Sequence, residues 1–88
     1  MNNLEYNRLL ELKRGIKNES ATKKERKEYM TILYKNGNIS KKQYDKFLSN
    51  QDSDDVISAA LTIGSVILAT WLLTKLFRNE STPESQLL

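Results

Sequence analysis

Nineteen consecutive residues, Val56 to Thr74, carry no charge, and this run constrains the chain more than any other feature. As a helix rising 1.5 Å per residue it would cover about 28 Å, close to the roughly 30 Å hydrocarbon core of a bilayer. Asp52, Asp54 and Asp55 stand before it, where a helix dipole favours anions, and Lys75 and Arg78 follow it. Trp71 and Phe77 fall near the second boundary, where aromatic rings settle among headgroups while Lys75 snorkels outward. No other segment is apolar enough to cover every side of such a helix in a soluble bundle. A single transmembrane helix over 56–77 is therefore expected.

The remaining charge is partitioned accordingly. Residues 1–55 hold twelve of the fourteen Lys and Arg and nine of the eleven Asp and Glu, so the mean hydropathy of −0.59 describes neither half. A polar part of some fifty residues is marginal for a single core, and a chain of 88 residues with no Cys and no His lacks thiol nucleophiles, disulfides, and the commonest general base and metal ligand. No enzyme activity and no cofactor are expected. The N-terminal sequence Met1-Asn2-Asn3-Leu4-Glu5 has no basic start or short apolar run, which places the anchor at the C-terminal end. Lys41, Lys42 and Lys46 precede the span against Lys75 and Arg78 after it, and translocating twelve basic residues is the harder task, so the N-terminus is expected in the cytoplasm.

Within the span, Ser58, Thr62, Ser65 and Ala69 follow a 4-3-4 spacing, and Ala60 with Gly64 forms a small-xxx-small pair on a neighbouring face. These faces suit close helix association, either with a second copy or with another membrane helix. No Asp, Glu or Lys lies mid-span to carry a proton or ion.

Before the span, caps mark three helices, giving an all-α architecture of short N-terminal helices with a hairpin plus one C-terminal transmembrane helix. The first is expected from Leu4 to Ile16 with Asn3 as N-cap. Thr22-Lys23-Lys24-Glu25 is a capping box opening the second, which carries Tyr29, Ile32 and Leu33 inward and ends at Asn36-Gly37. Ser40 with Gln43 is a second capping box, Ile39 and Tyr44 form a hydrophobic staple, and Tyr44, Phe47 and Leu48 line the inner side of a third helix reaching Asn50. This divides the chain into a basic helical domain (1–51, with the hairpin at 22–50), an acidic linker (52–55), the span (56–77) and a disordered tail (78–88).

The stretch Ile32 to Leu48 resembles the SHOCT (short C-terminal) domain: the apolar pair Ile32-Leu33, the turn at Gly37, Ile39-Ser40, two lysines, Gln43, Tyr44 and then Phe47. The resemblance covers seventeen residues and implies a short helical hairpin serving oligomerisation or recruitment, of the kind found mostly in bacterial proteins and often beside membrane spans. Here a membrane segment follows the hairpin and another helix precedes it, which departs from the usual arrangement.

Lys13, Arg14, Lys17, Lys23, Lys24, Arg26 and Lys27 place seven basic residues in fifteen positions, against Glu19 and Glu25. Such a run solvates helix faces routinely. Beside a membrane it also attracts anionic headgroups at about 1 kcal/mol per basic residue. The pI of 9.2 permits nucleic-acid binding, but no helix-turn-helix pattern, stacking set or Gly-rich phosphate loop accompanies it, so nucleic acid is the least favoured partner. The expected function is thus a small single-pass membrane protein whose basic hairpin mediates protein interaction or oligomerisation at the membrane surface. The Asn and Lys richness of the chain suggests a bacterial or phage source, and with it the alternative of a holin-like or lysis/exclusion accessory protein that perturbs the host membrane.

Overall fold

A computed structural model describes residues 1–51 and 53–77 in full and carries helical backbone onward to Leu87. The tail expected at 78–88 lies outside the fully described residues, as does Asp52 of the expected linker. Four helices follow in order: α1 (Asn3–Lys17), α2 (Lys23–Lys35), α3 (Lys41–Ser49) and α4 (Asp54–Leu87), with no strand among the described residues.

The helix boundaries follow from capping chemistry. Both capping boxes form: Thr22 Oγ1 accepts from Glu25 N at 3.1 Å while Glu25 Oε1 accepts from Thr22 N at 2.8 Å, and Ser40 and Gln43 repeat the exchange at 3.1 and 2.7 Å. The backbone bond from Thr22 holds the Glu25 carboxyl below its ordinary range. The first helix starts one residue earlier than expected, because Asn2 rather than Asn3 is the cap and its Oδ1 accepts from Glu5 N at 2.8 Å. Likewise α4 begins at Asp54 rather than Val56, so Asp54 and Asp55 form its first turn, where carboxylates favour the exposed N–H groups.

Two helices end in the same left-handed turn with different residues. At α2, Gly37 takes φ +75°, Asn38 N donates to Leu33 O at 2.9 Å and Gly37 N donates to Tyr34 O at 3.0 Å, the paired bonds of a Schellman motif. At α1, Glu19 occupies that place at φ 58°, with Ser20 N and Ala21 N both donating to Gly15 O. A side chain in this conformation costs about 1 kcal/mol or slightly more. Glu19→Gly should therefore raise the thermal midpoint, by about 0.5–1 kcal/mol of stability, whereas Gly37→Val should lower it by about 1 kcal/mol or more. Thermal melts of the two variants check both signs, and like signs would refute this account of the turns.

The three short helices zigzag. Arg8 binds both carboxylate oxygens of Glu28 at 2.7 and 2.8 Å and also pairs with Glu11, while Lys35 Nζ meets Glu5 at 3.3 Å, so α1 and α2 are antiparallel. Hydrogen bonding to Arg8 holds the Glu28 carboxyl down, and Glu28 in turn holds the guanidinium up. α3 folds back beneath α2, where Tyr34 and Tyr44 stack at 4.8 Å and Thr31 Oγ1 and Tyr44 Oη lie 3.0 Å apart. The hairpin residues Ile32, Leu33, Ile39 and Phe47 are buried and Tyr44 is partly buried. One core joins these to Leu9, Leu12, Ile16, Tyr29 and Met30, and then to Ala60, Leu68 and Trp71 of α4. That last connection positions the functional surface.

Candidate functional site

α4 presents two unlike faces. A stripe formed by Ala60, Gly64, Leu68 and Trp71, at spacings of four, four and three, is buried against α1 and α2. Tyr29 keys this contact: it is fully buried and its hydroxyl donates to Ala60 O at 2.7 Å. The ring tip enters a notch that exists because residue 64 has no side chain, since a Cβ there would lie 2.7 Å from Tyr29 Cζ and 3.2 Å from Cε1. Burial pushes the Tyr29 hydroxyl pKa well above its ordinary range, so it stays a protonated donor. At the far end Tyr6 stacks on Trp71 with centroids 4.8 Å apart and planes 8° from parallel. Trp71 Nε1–H donates to Asn3 Oδ1 at 3.2 Å, and the Lys75 ammonium stands 4.9 Å from the indole centroid.

In the docked arrangement Trp71 is 9 % exposed beneath Tyr6. The reason is chemical: a large ring with one N–H needs an apolar cover and one acceptor, and Tyr6 with Asn3 offers both. Ile16 and Lys17, at the opposite end of α1, line a cleft with Asp54, Ile57 and Leu61, so α1 lies antiparallel along α4 from about residue 57 to residue 71.

The other face of α4 is open. Val66, Leu72, Leu73, Leu76 and Phe77 are exposed, and Ser58, Thr62 and Ala69 of the expected association face are exposed with them. Ser65 is half-buried between the two faces. Thr62 Oγ1 donates back to Ser58 O at 3.0 Å and Thr70 Oγ1 to Val66 O at 3.0 Å, so these hydroxyls are satisfied within the helix. The Ala60–Gly64 pair, read from sequence as a contact for a second helix, is filled within the chain by Tyr29. Residues Asp54–Phe77 form a candidate membrane span of 24 residues; its most apolar 18-residue stretch has mean hydropathy 2.1, and 22 % of that stretch is buried.

The basic run gathers at one end of the molecule. Lys13, Arg14 and Lys17 close α1, and Lys23, Lys24, Arg26 and Lys27 open α2. Lys17, Arg26, Glu19 and Asp54 all line the cleft where α4 begins. A second cleft of about 450 Å³ separates α3 from α4, with Met30, Phe47, Val56 and Ile63 on its walls and Lys46 and Asp55 among its polar residues. Among the described residues no cluster of three His, Cys, Asp or Glu side chains could hold a metal ion.

Sequence reasoning missed Tyr29, Tyr6 and Asn3 as partners of α4. Two signals pointed to them: a lone Gly inside an apolar helix marks close approach, and a Tyr on a buried face requires a hydrogen-bond partner.

The docked geometry carries a further consequence. Arg8, Glu11 and Lys13 lie along α1 at the level of the middle of α4, and a charge carried to the centre of a bilayer costs about 2.5–3.5 kcal/mol even on the lenient insertion scale. α4 docked on α1 and α4 spanning a bilayer are therefore mutually exclusive arrangements. No protein-family model, no curated protein and no solved structure matches the chain.

Proposed function

We propose that this chain is a small membrane protein anchored by one pass of α4, whose α1–α3 helical module binds or assembles proteins at the membrane surface. The observation that carries the reading is the incomplete cover of α4: the most apolar 18-residue stretch of its 24-residue span has mean hydropathy 2.1 and is only 22 % buried, whereas the central helix of a soluble bundle is covered on all sides. An apolar face of this length is costly in water and finds its natural solvent in hydrocarbon.

Charge supports the same placement. The short 50–53 connection keeps the α1–α3 module beside the start of α4 when the two separate, within reach of anionic headgroups for Lys17, Lys23, Lys24 and Lys27. An N-terminus on the cytoplasmic side is the matching orientation. The α2–α3 hairpin, with its two capping boxes and SHOCT-like sequence, is the proposed interaction element, and the exposed Ser58, Thr62 and Ala69 face is suited to self-association in the membrane.

Alkaline carbonate washing of membranes from cells expressing the chain, with protease treatment of a tagged N-terminus, tests the reading. Retention of the protein in the pellet with a protected tag is the expected result. Release into the supernatant would overturn the membrane assignment, and cleavage of the tag in intact cells would reverse the orientation.

A further inference from the structure

We propose that the apolar face of α1 and α2 is a reversible shelter for α4, holding the span docked in water and yielding it to the bilayer, with Tyr29 in the Gly64 notch as its latch. The inference rests on the membrane reading of α4 and adds a second, water-compatible state of the same helix.

Three features point to it. The buried stripe is Ala60, Gly64, Leu68 and Trp71, flanked by the partly buried Val56, Ile57, Leu61, Ile63 and Ile67, while Val66 stays 62 % and Phe77 65 % exposed. A lipid-facing surface thus remains open on the docked helix for a first encounter with a bilayer. Next, the polar bonds that fasten the stripe can be exchanged without stranding a buried group. Ala60 O is a helix carbonyl whose intrahelical bond remains when Tyr29 leaves, the freed hydroxyl returns to water, and the Trp71 N–H finds acceptors at the headgroup level. Finally, the fit is specific to a residue with no side chain. Glycine weakens a helix interior, and at residue 64 its consequence is the notch that admits Tyr29.

Trp71 is the single tryptophan of the chain, so it reports the transition without a label. The full chain, exchanged into detergent-free buffer, is mixed with phosphatidylcholine–phosphatidylglycerol vesicles whose acyl chains carry bromine, and quenching of Trp71 is followed in time. If insertion draws on the undocked fraction, its rate scales with that fraction, and Gly64→Ala should quench about tenfold faster than the parent chain. Tyr6→Ala, which removes the stack on Trp71 and leaves the span sequence untouched, should also accelerate quenching. Adding Tyr29→Leu to Gly64→Ala removes the clash together with the hydroxyl bond to Ala60 O and should return the rate part of the way to that of the parent.

Parental rates in both single variants would overturn the shelter. Acceleration in Gly64→Ala that the second substitution leaves undiminished, with Tyr6→Ala unchanged, would also overturn it, because the methyl group would then act through the span's own hydropathy. Precipitation of the parent chain on detergent removal would overturn it too, since the docked form would protect nothing. A parent chain that stays soluble and unquenched would instead refute the spanning role of α4, and the shelter with it.

Discussion

Tyr29→Ala is expected to abolish the cooperative thermal transition of the chain. The side chain is fully buried where α2 meets α4, filling the Gly64 notch and donating to Ala60 O. Truncating a buried aromatic costs about 3–5 kcal/mol, because packing is lost and a cavity remains. Small domains have total stabilities starting near 5 kcal/mol, so that loss is comparable with everything holding this fold together. Tyr29→Phe keeps the ring and removes only the hydroxyl bond, and should cost about 1 kcal/mol. Circular dichroism melts of the two variants separate the contributions. A Tyr29→Ala midpoint close to the parent's would mean that the docked helix contributes little to the fold.

Val66→Lys should have its large effect elsewhere. Val66 is 62 % exposed on the docked molecule, so a lysine there would project into water and shift the melt by no more than about 0.5 kcal/mol. Residue 66 is also close to the middle of the 54–77 span, where a lysine costs about 3 kcal/mol, equivalent to roughly a hundredfold fall in membrane-inserted protein. Leu68→Lys, on the buried stripe, should damage both states. Carbonate-resistant protein is the readout. Undiminished membrane retention of Val66→Lys, with its melt unchanged, would show that α4 does not cross the bilayer.

Local chemistry made much of the fold legible. The boxes at Thr22 and Ser40 and the glycine turn at 37 depend on residues three to five apart, and each formed as the sequence indicates. Adjacent asparagines at 2 and 3 left the first cap open to a one-residue error, since either can accept from the first turn. Glu19 was illegible for another reason: a left-handed glutamate contradicts the usual signal, and only the bonds collected by Gly15 O reveal why it is held there.

The docking surface was half legible. Ala60 and Gly64 read correctly as a point of close approach, but sequence could not say that the approaching group is Tyr29 of the same chain. α4 is apolar around most of its circumference, so no amphipathic stripe announces which side is covered. Trp71 and Tyr6 were each visible as amphipathic rings, yet nothing local pairs residues 68 positions apart, as the Asn3–Trp71 bond does.

That separation also orders events in time. The α1–α2 ion pairs join residues 20 and 30 apart, and the α2–α3 contact between Thr31 and Tyr44 joins residues only 13 apart. Closing the circuit from Asn3 to Trp71 requires a far longer loop and depends on the shorter ones being in place. The zigzag of α1–α3 should therefore assemble first, and α4 should be the last element to join it and the first to leave. In hydrogen exchange this would appear as two cooperative units, with amides of α2 outlasting the α4 amides that they help to cover.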